Sequence, residues 1–391
     1  MRKLLSAIFL LAGTAIGSGM ISLPIVLAPL GIVPIIGLTL LFAGMTYLSA
    51  LVRVELNLQS ESDFTLEDVG RKFSGKTAAL VGNISLKILS LALLSAYIYG
   101  LGAMMPFPCA KLLIGLAVGI AFVYSSDKII RFNDKAFVFL LVVVLAIIVG
   151  SLFQVDLRAL PQSPSLVKVS KLCILFPTLF TSFGFQGSLH VLTKFCHNDR
   201  KMIVRACFWG SLIPAVVYLA WTLCMMAIIF NTQPQLFAKM AREGIDVAEL
   251  IAALGAASGE GFTRCAVLVL SVGAIATSIF GVGIALVEDI ERTFCRLKVH
   301  LGKKSQRCAA SCMAALPATF VAISIPEAFI KVLGFAGMIL TIIALLLPAF
   351  LLRKIHQPKH IQCLEHRSIL YALVTFAAII IVCEIASLMK V

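Results

Sequence analysis

Long apolar runs alternate along this chain with short polar gaps. Each run is about 20 residues, the length a helix needs to cross the hydrocarbon core, and lacks the strict alternation of a barrel strand. The pattern predicts eleven membrane-spanning helices, near 4–28, 32–56, 77–103, 109–125, 135–154, 171–193, 203–230, 262–289, 308–325, 329–352 and 368–388. The opening MRKLLSAIFLLAG has the look of a signal peptide, but apolar sequence continues past Pro24 without a polar mature region. It therefore reads as an uncleaved first span.

Composition supports this reading. Of 391 residues, 60% are hydrophobic and 13% charged, against about 25% charged in soluble domains. The mean hydropathy is +1.03. The lipid bilayer is the solvent, and backbone polar groups must be satisfied within each span. The net charge of +14 invites a nucleic-acid partner, but the basic residues lie in the gaps. With the N-terminus in the cytoplasm, 23 Lys and Arg fall on the cytoplasmic side and 9 outside, leaving Lys87 within the third span. That bias predicts a cytoplasmic N-terminus and an outer C-terminus, and no nucleic-acid role.

Two spans carry features that an anchor does not need. The first reads AGTAIGSGMISLP from Ala12 to Pro24, and the sixth reads LFPTLFTSFGFQGSLH from Leu175 to His190. Clustered glycines weaken a helix and admit close backbone approach, and unwound backbone in lipid must face protein or a water-filled cavity. Freed amides at a half-helix start suit a carboxylate, and freed carbonyls suit an ammonium or a cation. The two interruptions open the two halves of the chain, five spans apart, so the second half is inverted relative to the first. This is the pattern of an inverted-repeat transporter with its site at the repeat interface. Gly13 and Gly17 also form a GxxxG, which helix packing alone would explain.

GTAIGSGMISLP together with FTSFGFQGS resembles the hydroxy/aromatic amino acid permease family, nearest its tyrosine-specific branch. GAIATSIFGVGIALVEDI in the eighth span and LGFAGMILTIIALLLPAFL in the tenth agree. The resemblance implies an all-α, LeuT-type fold. It would have a first repeat over 1–155, an inverted second repeat over 171–352 and an additional helix at 368–388. It further implies a bacterial inner-membrane protein that imports an aromatic amino acid, tyrosine foremost, by symport with H+ or Na+ and without a cofactor. Tryptophan or another small neutral amino acid is the alternative substrate.

By the same resemblance, the substrate carboxylate meets the backbone of Thr14, Ala15, Ile16, Gly17, Ser18 and Gly19. Thr181, Ser182, Gly184, Gln186 and Gly187 belong to the second break, whose backbone would hold the ammonium. Phe183 and Phe185 would flank the aromatic ring, and Tyr97 would close the site from outside. For all three aromatics the alternative is core or lipid packing. Gly13, Ile16, Ala274, Thr277 and Ser278 match the spacing of a cation site, where two hydroxyls suit a hard cation. The alternative is hydroxyls bonded back to their own helix.

Lys87 is expensive within a span. It would replace a bound cation, carry the coupled proton, or snorkel to the cytoplasmic interface. Glu55, Glu288 and Asp289 are expected to pair with neighbouring arginines at cytoplasmic span ends, and Glu384 to be solvated near the outer surface. QLFAKMAREGIDVAELIAAL, within the outer segment 231–261, has helical periodicity and reads as a lid or an ordinary surface helix. The eleven cysteines are scattered and read as small apolar fillers. HQPKHIQCLEH, 356–366, suggests a metal site only superficially, because Pro358 disrupts the helix that would align His356 with His360. No paired intramembrane carboxylates, HExxH or nucleophile–base pair marks an enzyme, and no repeated pore loop or charge ring marks a channel.

Overall fold

The computed structural model describes residues 2–59, 66–105, 107, 109–124, 138–150, 160–161, 169–257, 262–299, 302–325, 328–354 and 366–389. Every regular element among them is helical. The first half comprises α1 (Arg2–Ala15), α2 (Gly19–Leu27), α3 (Ile32–Gln59), α4 (Leu66–Ser74), α5 (Lys76–Ala103) and α6 (Ala110–Val123), then α7 (Val138–Gly150). The second half comprises α8 (Val169–Ser182), α9 (Leu189–Phe195), α10 (Arg200–Thr232), α11 (Pro234–Arg242), α12 (Val247–Ala257), α13 (Phe262–Arg296), α14 (Lys303–Ser324), α15 (Ala328–Thr341), α16 (Leu347–Lys354) and α17 (His366–Leu388).

Eight described helices are long and apolar enough to span a membrane, and the bent pair α1–α2 makes nine. The shorter α6 and α7 stand at the expected fourth and fifth spans. Most expected boundaries fall within a few residues of these helices, but α13 runs on to Arg296, seven residues past the anticipated end. The segment 231–261 forms two helices instead of one. Gly244, at φ +89°, ends α11, since only glycine takes that backbone without strain.

The two halves interleave. Helix α15 packs on α5 and α8, α13 and α14 on α5, and α10 on α1 and α3. Small residues set these approaches, as association within lipid requires. A Cβ on Gly283 would strike the Phe122 ring, and one on Gly337 would strike the Pro177 carbonyl and Thr181. The tenth span contains one π turn, Ile342–Leu346. Such a turn breaks the regular carbonyl pairing, and Ser49 Oγ donates to the Ala344 carbonyl there at 2.6 Å.

Helix α4, the N-terminal part of α5 and the C-terminal part of α13 share one polar network. Lys87 pairs with Asp289 at 3.2 Å, donates to Thr293 at 2.9 Å, and hydrogen-bonds Asn83. Asn83 and Arg296 both reach Glu67. Burial pushes the Glu67 carboxyl up, but the Arg296 and Asn83 hydrogen bonds outweigh it and hold the group below the usual carboxylate range. Asp289 therefore has a lysine partner where an arginine was expected, and Glu55 accepts from Gln59 at 2.7 Å. Glu384 also departs from expectation. It is buried, with its carboxylate against the face of Gly334, because α17 packs onto α15.

Candidate functional site

Helix α1 stops at Ala15 and α2 starts at Gly19, with a 54° bend between them. The Ile16 amide still bonds the Ala12 carbonyl at 2.8 Å. The unwound stretch is therefore Ile16–Ser18, narrower than the 14–19 expected, and Thr14 and Ala15 remain helical. Ser18 and Gly19 lie at the mouth of α2, the end whose amides a helix leaves without intrahelical acceptors.

Helix α8 stops at Ser182. Phe183, Gly184 and Phe185 turn, a single 3-10 turn spans Gln186–Ser188, and α9 resumes at Leu189. This break bends the chain less sharply than the first, since Leu172–Phe195 still reads as one span.

The two breaks meet at a residue the sequence reading did not single out. Tyr218, mid-way along α10 and buried, places its hydroxyl 2.7 Å from the Ala15 carbonyl and 3.0 Å from the Ser182 carbonyl. It also accepts from the Gly17 amide at 3.3 Å. One turn on, Trp221 Nε1 donates to the Met20 carbonyl at 2.5 Å. A Cβ on Gly19 would lie 2.5 Å from Tyr218 Cζ and 2.8 Å from Ser182 Cβ. This glycine therefore makes room for the Tyr218 ring. The available signal was a Tyr and a Trp three residues apart in mid-span, since a buried phenol or indole in lipid needs a polar partner.

The candidate residues divide around this junction. Tyr97 is buried with its hydroxyl beside those of Ser18 and Ser278, which links the first break to α13. A Cβ on Gly17 would meet Ser278 Oγ at 2.9 Å. Thr14 and Ser188 hydroxyls meet at 3.0 Å on the exposed side. Thr181 Oγ1 lies 2.9 Å from both the Pro177 and Leu333 carbonyls, which ties α8 to α15.

Phe183 meets the Tyr218 ring edge to face at 5.5 Å. Phe185 instead enters a separate apolar cluster with Leu11, Val54 and Leu189, so the two rings do not flank one space in this conformation. Gln186 is 8% exposed, and neither amide atom has a partner. Gly187 has open space where a Cβ would stand.

Ser278 and Thr277 bond back to the Ala274 carbonyl at 2.8 and 3.1 Å, the arrangement weighed against a cation site. A cavity of about 20 Å³ touches Ile16, Ala274 and Thr277 and is otherwise walled by Met20, Leu140, Leu141, Val144 and Leu270. That is room for about one water. Gly13 lies on α1, half-buried. Lys87 stands apart, since its partners Asn83, Asp289 and Thr293 lie on α5 and α13 and none belongs to a break. Among the described residues no three His, Cys, Asp or Glu side chains are grouped to hold a metal. His356 and His360 lie outside the described residues.

Residues 1–384 match the tryptophan/tyrosine permease family. The chain is similar to tyrosine-specific transport system 1 of Haemophilus influenzae, at 30% identity over 370 residues, covering 90% of this chain and 88% of that protein. It is also similar to a tryptophan-specific transport protein of Pseudomonas aeruginosa, at 27% identity, covering 90% of this chain and 86% of that protein. Its backbone resembles a manganese transporter of Eremococcus coleocola with a TM-score of 0.61, covering 97% of this chain and 85% of that one at 14% identity. At that identity the likeness shows the fold alone.

Proposed function

Because this chain belongs to the tryptophan/tyrosine permease family, and is a multi-pass membrane transport protein and not an enzyme, we propose that it imports an aromatic amino acid by cation symport and alternating access. Tyrosine is the first substrate to test, since the tyrosine-specific relative is 30% identical and the tryptophan-specific one 27%. Tryptophan is the second reading on the same ground. We take the architecture as two inverted five-span repeats over 1–155 and 171–352 with α17 added, cytoplasmic N-terminus and outer C-terminus, in a bacterial inner membrane.

The observation that carries the reading is the junction of the two breaks. The ends of α1 and α8 present the Ala15 and Ser182 carbonyls to one point, and the Gly17 amide faces the same point. Helix C-terminal ends favour positive charge, and the nearby N-terminus of α2 favours negative charge. An α-amino acid head group carries both. The carboxylate falls to Gly17, Ser18 and Gly19, and the ammonium to the carbonyls. Gln186, buried and unpartnered, is the candidate for a polar part of the substrate. The coupling ion is H+ or Na+, with Thr277, Ser278 and the Ala274 carbonyl as the candidate group and Lys87 as the alternative.

Purified protein in proteoliposomes tests this. Labelled tyrosine accumulates against its gradient only when a proton or sodium gradient is imposed, and unlabelled tryptophan competes according to its rank as substrate. Uptake indifferent to both gradients removes symport, and no uptake of any aromatic amino acid removes the reading.

A further inference from the structure

We propose that Tyr218 is a built-in stand-in for the substrate head group: its hydroxyl holds the Ala15 and Ser182 carbonyls and the Gly17 amide in the empty transporter, and the incoming amino acid displaces it. The inference rests on the site reading above and goes beyond it by assigning a competitor within the chain.

The argument begins with proton counting. A phenol has one proton to donate and lone pairs to accept with. Two carbonyls lie within reach, at 2.7 and 3.0 Å, so they compete for one proton. The amide bond from Gly17 is long, at 3.3 Å, beyond the common range for N–H···O. Tyr218 thus touches all three groups and fully serves only one carbonyl.

An ammonium brings three donors and a full charge, and its bonds are about twice as strong as neutral ones. It satisfies both carbonyls together, while the carboxylate takes the amide. Both carbonyls belong to the last residues of α1 and α8, where the helix field favours a cation over a neutral hydroxyl. The groups fit an amino acid better than the phenol now on them.

The surroundings fit a side chain that is held but releasable. Gly19 leaves room for the ring, and the Phe183 edge packs on it. Pro214 lies one turn before Tyr218 in α10, and because it cannot donate to the Gly210 carbonyl, α10 can bend at 210–214, just ahead of the Tyr218 turn. Trp221, by contrast, anchors α10 to Met20 in α2. A bend at 210–214 together with rotation of the Tyr218 side chain would free the junction while Trp221 keeps α10 on α2.

The test compares the full-length wild type with Tyr218→Phe, which keeps the ring and removes the hydroxyl. The readouts are melting temperature without substrate and equilibrium binding of labelled tyrosine and tryptophan. The expected result is a lower melting temperature and an aromatic amino acid dissociation constant about tenfold smaller, equivalent to about 1.4 kcal/mol. The substrate-induced rise in melting temperature grows correspondingly. A purely structural tyrosine or a direct substrate ligand predicts unchanged or weaker binding, and either result overturns the proposal while leaving the site reading intact. A wild type that binds no aromatic amino acid overturns both. Should Tyr218→Phe fail to fold, 3-fluorotyrosine placed at position 218 reports by fluorine resonance. Saturating substrate shifts that resonance, and an unmoved resonance overturns the proposal.

Discussion

The two helix breaks look alike in sequence and differ in construction. The first bends the chain by 54°, and its glycines are crowded, Gly17 against Ser278 and Gly19 against Tyr218 and Ser182. The second bends the chain less sharply, crowds Gly184 against Leu340 but leaves Gly187 uncrowded, and buries the Gln186 amide without a partner. The first break is thus filled from within, and the second retains unused hydrogen-bonding capacity. Similar glycine content reports two physical needs. One is close packing, at Gly17, Gly19 and Gly184, and the other is an open turn at Gly187 beside the unpartnered Gln186 amide.

The largest expected effect comes from Gly19→Ala. Its Cβ would overlap the Tyr218 ring and Ser182, and overpacking costs about 1–3 kcal/mol. Substrate-free melting temperature and tyrosine uptake should both fall, whereas full activity would mean that the first break is looser than described. Gln186→Leu should separate stability from function. Removing a buried unsatisfied amide in favour of an apolar group of similar size is neutral or stabilising, by up to about 1–3 kcal/mol, while uptake should drop. Unchanged uptake would end the role of Gln186.

Gly17→Ala meets only the Ser278 hydroxyl, at 2.9 Å, and a rotation of that group relieves the contact. A loss of about 1 kcal/mol, at the low end for overpacking, with a modest rise in KM, is expected. A loss as large as that of Gly19→Ala would erase the contrast between the two glycines. Gly187→Ala should lie within about 0.5 kcal/mol of wild type in stability, read by thermal denaturation. A cost near that of Gly19→Ala would show that the second break is crowded at Gly187 as well as at Gly184.

Much of this architecture was legible because lipid leaves few options. Apolar runs had to be helices, and glycine clusters with polar neighbours had to mark departures from helix. What stayed hidden depended on distant contacts. Tyr218 lies about 200 residues from Gly17, and nothing local marks it as the group that joins Ala15 to Ser182. Lys87 and Arg53 make the same point for charge. Lys87 looked like the anomaly within a span, yet Asp289, Asn83 and Thr293 surround it. Arg53, which nothing in the local sequence of α3 sets apart, is 5% exposed with Nη1 unpartnered. Phe183 and Phe185, two apart in an irregular turn, gave no means of telling which cluster each ring would enter. Glu384 was placed by distance from the chain end, whereas the packing of α17 on α15 decided its burial.

Hydrogen–deuterium exchange on the full-length protein, with and without saturating aromatic amino acid, tests most directly whether the two breaks form one site. Peptides covering residues 12–23 and 180–189 should slow together on addition of substrate, by more than peptides from α14 or α17. Protection of only one break, or of neither while binding is demonstrably saturated, would contradict the account.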